Sequence, residues 1–378
     1  MNKTAKDLIY LLSCAVNGIT PDTARVQAMD LEQLYRLAKA HTLRAAVFIA
    51  LRSAGVNDHS FQQAYNKAVR KNVMLDVERT AIFAEFERRG IWYMPLKGAL
   101  LKELYPEIGM REMSDNDILF DVKSRNETRE IMLNRGYKAK HFGTSHCDEY
   151  LKPPIYNYEL HITFFTANQR SMHQYYINIK QKLIKDLDNG YGYHFSDEDF
   201  YVYMIAHEYK HYSGGGTGLR SLLDCYVFLQ NKGDSLDWAY IHEQTKELDI
   251  ADFEREQREL AKKVFSSVTL PELTEHEQKL LDYYLTSHTY GTISRAGENA
   301  VKKGFSESAS KSKLSYLRRR VFPDLKHMET WFPFFYRHKL LLPIGYIWRI
   351  IRAPFIRDKK NRIKAELKAL NKYDNKKV

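Results

Sequence analysis

Residues 113–122, MSDNDILFDV, read as a β-strand set in a chain whose other long segments carry helical spacing. Side chains alternate across a strand, so Asp115 and Asp117, two apart, turn to the same face. The neighbouring apolar run Ile118-Leu119-Phe120 argues against a strand exposed on both sides. The surrounding residues extend the pattern. IWYMP (91–95) is short, aromatic and apolar, as a strand would be, and LKGALLKELYP (96–106) is a turn leading into a helix stopped by Pro106. RNETREIMLNRG (125–136) is a helix closing at Gly136, and YKAKHF (137–142) and IYNYELHITFF (155–165) are strand-like. Residues 91–166 therefore form a compact α/β segment with about four strands.

Both flanks are helical. In LEQLYRLAKAHTLRAAVFIALRSAG (31–55), Leu31, Leu34, Leu37, Ala38 and Leu43 recur at helical spacing. In MLDVERTAIFAEFERRG (74–90), Leu75, Ile82, Phe83 and Phe86 share one side ahead of a C-cap at Gly90. Beyond residue 170, SDEDFYVYMIAHEYKHYS opens with a capping Ser196 and first-turn acids Glu198 and Asp199. GGGTG (214–218) is then a loop before the helix LRSLLDCYVFLQNKG. The expected fold is α+β. It has an N-terminal helical region (1–90), a small mixed-sheet core (91–166), a helical domain (167–300) and a basic helical segment with a tail (301–378).

Charge separates that last segment from the rest. Residues 301–378 hold 21 Lys and Arg against 6 Asp and Glu, a net of +15, whereas the other 300 residues hold 37 against 41. The body of the chain is thus no general binder of nucleic acid. Three scattered cysteines, Cys14, Cys147 and Cys225, form no CxxC, which points to a reducing, cytoplasmic setting without disulfides. The N-terminal apolar run follows Asp7 directly and reads as an amphipathic helix and not a signal peptide. The later apolar stretch LLLPIGYIW (340–348) is broken by a proline and is far short of the ~20 residues a spanning helix needs.

The chemistry sits in the α/β segment. At Lys97-Gly98 a strand turns into a helix whose first N–H groups attract phosphate, with glycine letting it come close. Asp115 and Asp117 then offer hard oxygens to Mg²⁺, which takes one or two carboxylates together with substrate phosphates. A second ion would need a third carboxylate from a neighbouring strand, and YELHITFF supplies Glu159, with His161 on the same face. This order of a K-G turn, an R-x-x-x-D-x-D strand and an acid-x-H strand resembles the uncharacterised nucleotidyltransferase family of the DNA polymerase-beta superfamily. The resemblance covers about residues 30–230 and, more loosely, RRRVFP (318–323). Lys97-Gly98 stands where many members carry Gly-Ser or Gly-Gly. The family's helical segment with two histidines and a later Arg and Asp matches His207, His211, Arg220 and Asp224.

The resemblance implies transfer of a nucleoside monophosphate from an NTP to an acceptor, a protein, sugar or other small molecule. Mg²⁺ or Mn²⁺ would lie on Asp115, Asp117 and Glu159, and the nucleotide near Lys97, Gly98, Arg111 and His161. Plainer roles stand beside these. Glu159 can pair with a basic residue, Arg111 can clamp its loop to Asp115 or Asp117, and His161 can be a hydrogen-bonded strand histidine.

Three other readings compete. The fold can persist as an inactive binding module. HEYKH (207–211) matches the zinc motif H-E-x-x-H, but Thr217 stands where a third histidine is expected. His207 and His211 are therefore expected to line the cleft or brace the helical domain without holding zinc. In the basic segment, Trp331, Phe332, Phe334, Phe335 and Trp348 interleave with cations, a mixture that suits an anionic membrane surface or nucleic acid. The reading expected for the aromatics is a packed helix with a solvated charged face.

Overall fold

The computed structural model describes residues 1–143, 146–166, 169–306, 312–325, 328–329, 332–352 and 359–374. It divides into two compact units, residues 1–209 with 219–285, and residues 210–218 with 286–378.

The first unit begins with helices α1 (Lys3–Asn17), α2 (Thr23–Gln27), α3 (Leu31–Ala40), α4 (Arg44–Ser53) and α5 (His59–Arg89). The long apolar stretch 31–55 is two helices, parted where Thr42 takes a left-handed φ of 53°. Helix α5 starts where Asp58 accepts the Phe61 N–H at 3.0 Å and ends at Gly90 with φ of 69°, as its sequence signals indicate.

A mixed five-stranded sheet follows, so the fold is α+β with helical flanks. Its strands are β1 (Tyr93–Pro95), β2 (Asn116–Phe120), β3 (Lys138–Lys140), β4 (Cys147–Lys152) and β5 (Tyr156–His161), in spatial order β1-β2-β5-β4-β3. Only β2 and β5 are parallel; the other pairs are antiparallel. Helix α6 (Lys97–Leu101) lies between β1 and β2, and α7 (Arg125–Asn134) between β2 and β3. One sheet face packs on α5 and α7. Leu75, Ile82 and Phe86 meet Ile118, Phe120, Ile131, Tyr150, Tyr158 and Leu160 in a single core.

Two strand readings change. Residues 113–122 shorten to β2, because the Ser114 carbonyl is taken by Lys71 Nζ at 2.7 Å, and Asp115 lies just ahead of the ladder. Strand β4 was not foreseen. Its inward Asp148, 1% exposed, interrupts the apolar alternation and is neutralised by Arg125 at 2.6 and 2.7 Å.

Helix α8 (Arg170–Tyr176) and an unforeseen hairpin, β6 (Ile184–Lys185) with β7 (Tyr193–His194), lead into α9 (Asp197–Ser213), capped by Ser196. Helices α10 (Leu219–Lys232), α11 (Trp238–Glu247), α12 (Ala251–Phe265) and α13 (Glu275–Ser287) follow.

The second unit holds α14 (Ile293–Ser306), α15 (Lys313–Val321), α16 (Pro333–Arg337), α17 (Leu342–Arg352) and α18 (Lys359–Asp374). Most of the tail expected at the end of this segment is helix α18. A Cβ at Gly297 would stand 2.7 Å from the Ala365 backbone, so glycine is what lets α14 and α18 cross closely. Val301, Phe305, Tyr316, Ala369 and Leu370 form the core of this unit, and buried Glu366 takes Arg320 at 2.6 and 2.8 Å. The expectation of packed aromatics fails in part: Phe334 and Trp348 are exposed, Phe332 and Phe335 are half-buried, and Trp331 lies outside the described residues. Among the described residues no helix is long and apolar enough to cross a membrane.

Candidate active site

Strands β2 and β5 pair in parallel register, with Asp117 opposite Glu159 and Leu119 opposite His161. Ile118, Phe120, Tyr158 and Leu160 take the core face, which turns Asp117, Glu159 and His161 to the other. Asn116, fully buried between the two aspartates, pins this arrangement. Its Nδ2 donates to the Leu75 carbonyl of α5 at 3.2 Å, and its Oδ1 accepts Arg79 at 3.0 Å. Tyr158 donates its hydroxyl to the same carbonyl at 3.0 Å. No motif marks Asn116, but an amide between two strand aspartates on the core side is a signal that sequence reading could have used.

One donor atom from each of Asp117, Glu159 and His161 lies within 4.8 Å of the others. His161 Nε2 is 3.0 Å from Asp117 Oδ1 and 3.7 Å from Glu159 Oε2. Asp115 is outside this tight grouping but inside its field. Burial and then Asp117 raise the Asp115 pKa, against Lys97, Ser114 and Arg220. Burial, Asp117 and Asp115 likewise raise that of Glu159, against His161 and Lys97.

The cations come from distant parts of the chain. Lys97 Nζ lies 3.7 Å from Asp117 Oδ2 and 2.9 Å from His207 Nε2 on α9. Arg220 reaches the Glu112 carbonyl at 3.4 Å from α10 and acts on Asp115. Lys71 of α5 is lowered in pKa by burial and partly restored by Asp115. Sequence reading passed over Lys71, because nothing in a helix of mixed charge singles it out.

Arg111 and Gly98 have structural duties. Arg111, expected at the nucleotide or clamped to Asp115 or Asp117, forms a buried two-pronged pair with Asp224 instead, at 2.8 and 2.9 Å. Its remaining Nη1 lies 3.3 Å from Met113 Sδ, and Tyr105 completes Asp224 at 2.7 Å. A Cβ at Gly98 would stand 3.1 Å from Met113 and 3.2 Å from Arg111, so glycine serves close packing there.

The zinc motif is divided. His207 faces Lys97, while Glu208 is buried and accepts Tyr284 at 2.9 Å and also Gln257. Burial pushes Glu208 up to about 8, with those two donors pulling it back. His211 belongs to the second unit. Among the described residues, the three-ligand groupings are Asp117 with Glu159 and His161, and His146 with Cys147 and His161. His161 is common to both. Its Nδ1 is buried and has no hydrogen-bond partner among the described residues.

The donor set fits a hard divalent cation. Two carboxylates within 4.8 Å repel by about 3–4 kcal/mol at an effective dielectric of ~20, and Asp115 adds to this. Lys97 offsets roughly one of these interactions, and Arg220 and Lys71 act on Asp115. The Asp117–Glu159 repulsion is the part a divalent cation would relieve. The carboxylate oxygens suit Mg²⁺ or Mn²⁺, and His161, 3.0 Å from Asp117, can orient one of them without being a ligand itself.

The profile of a protein family described as an uncharacterised nucleotidyltransferase matches residues 27–266. No curated protein and no solved structure matches the chain.

Proposed function

Since the chain belongs to this uncharacterised nucleotidyltransferase family, we propose that its carboxylate cluster transfers a nucleoside monophosphate from an NTP to an acceptor hydroxyl or phosphate. The observation that carries the proposal is the in-register pairing of Asp117 with Glu159, on the sheet face away from the core. Asp117 and Glu159, with Asp115 beside them, would hold Mg²⁺ or Mn²⁺. When bound, such an ion polarises the phosphoryl oxygens and lowers the pKa of the attacking hydroxyl.

The remaining roles fall to the chain. Lys97, already 3.7 Å from Asp117, would donate to a phosphate oxygen of the NTP. Arg220 adds fixed positive charge on the Asp115 side. His161 and Asn116 orient the carboxylates, His161 from beside Asp117 and Asn116 through the α5 backbone. In the reaction the acceptor oxygen bonds to the α-phosphorus, the bond to the β-phosphate oxygen breaks, and pyrophosphate leaves. When the acceptor is a hydroxyl, its proton passes to a carboxylate of the cluster; a phosphate acceptor attacks through an oxygen that is already anionic.

The test incubates the full chain with each α-labelled NTP, Mg²⁺ or Mn²⁺, and a panel of protein, sugar and small-molecule acceptors. Labelled acceptor and pyrophosphate should appear together. Asp117→Asn should lower both by at least about a hundredfold, since a neutral amide is a poor ligand for a hard cation. Cation-dependent NTP binding without turnover would make the fold a binding module. One zinc per chain lost from a His207→Ala and His211→Ala pair would favour the alternative of a zinc hydrolase built on the HEYKH segment (207–211).

A further inference from the structure

We propose that the isoleucine face of α17, Ile344, Ile347, Ile350 and Ile351 with Trp348 at its edge, seats on an anionic lipid surface. The inference is independent of the transferase chemistry. Helix α17 has a defined inner side. A Cβ at Gly345 would stand 2.8 Å from Phe335 and 3.1 Å from Met328, so this is where the helix meets its own unit. At about 100° per residue, Ile347 points nearly opposite to Gly345, with Ile344, Ile350 and Ile351 on either side of it. Their exposures are 55% for Ile344, 58% for Ile347, 47% for Ile350 and 56% for Ile351, and Trp348 is 50% exposed. Phe334 and Leu340, in the segments just before α17, are exposed as well. Single exposed apolar residues are ordinary, but a contiguous face of this kind marks a surface that is covered in use.

Charge identifies what covers it. Between Glu329 and Asp358 the chain has no acidic residue, and it carries Arg337, Lys339, Arg349, Arg352 and Arg357. A second copy would bring a like-charged segment against this one. A nucleic acid would answer the cations, but it offers nothing in which four isoleucines could be buried. Anionic headgroups over an acyl boundary supply both partners. An 11-residue helix is about 16 Å long against a hydrocarbon core of ~30 Å, so it lies in the plane of the interface. Arg337, Lys339 and Arg352, all exposed, flank its ends.

The experiment floats the full chain with vesicles of phosphatidylcholine containing about one third phosphatidylglycerol, and with phosphatidylcholine alone. The chain should bind the anionic vesicles, and raising salt from ~0.1 to ~0.5 M should weaken binding at least about tenfold. Ile347→Glu with Ile351→Glu should reduce vesicle binding at least about tenfold. Its thermal midpoint should not change, because both side chains already face water. The proposal is overturned if the wild type stays unbound, or if the double variant binds like wild type. It is also overturned if the wild type ignores vesicles and is a dimer that the double variant dissolves, or if it ignores vesicles and binds RNA.

Discussion

At the scale of single residues, the site stands on charges held closer than water-exposed groups would tolerate. Asp117 faces Glu159 across the ladder and has Lys97 at 3.7 Å. In the absence of divalent cations, Asp117→Asn removes repulsion while its amide oxygen can still accept from His161. We therefore expect an unchanged or higher thermal midpoint for this variant, even though it loses turnover. A fall of several degrees would mean that Asp117 is there for the fold. Glu208 gives a second expectation, in pH. Its carboxyl rises from 4.5 to about 8 in the folded chain, so folding takes up a proton between those values. Stability should then fall as pH rises through that window. Glu208→Gln, with Gln257 turning its unpartnered Oε1 to the new amide, should be more stable than wild type above pH 8 by at least about 1 kcal/mol. The gain should shrink toward pH 5. Melting curves at the two pH values check this, and equal destabilisation at both would contradict it.

At the scale of elements, the buried Arg111–Asp224 pair ties the chain entering β2 to helix α10. Removing one partner leaves the other buried and charged, so Arg111→Met should cost about 3–5 kcal/mol in denaturant titration. A loss of turnover with stability intact would return Arg111 to the nucleotide. The same pair shows where sequence reading stopped. The Asp-x-Asp strand, the acid-x-His strand, the helix ends at Gly90 and Ser196, and the glycine loop at 214–218 all have local signals, and the structure has these elements there. Strand β4 did not, because inward Asp148 breaks its alternation and its neutralising Arg125 lies on another element. Arg111 was read against the aspartates beside it in sequence, whereas its partner is 113 residues away. Pairings of that range carry no spacing to read.

At the scale of the molecule, the charge balance of the site arises only on folding. Residues 91–166 are not basic, so from the sequence alone metal would have to neutralise most of the charge of an NTP. The fold brings Lys71 from α5 and Arg220 from α10 to Asp115, and sets Lys97 against Asp117. The three cations equal the three carboxylates in number, but Asp117 and Glu159 still face each other across the ladder. The cluster should therefore bind a divalent cation most tightly together with a triphosphate, which brings further negative charge. The direct measurement is calorimetric titration of Mn²⁺ into wild type and Asp117→Asn, each with and without a non-hydrolysable NTP analogue. The account predicts Mn²⁺ binding to wild type that the analogue tightens, and binding weakened at least about tenfold in the variant. Equal Mn²⁺ affinity in the two proteins, or analogue binding indifferent to the cation, would contradict it.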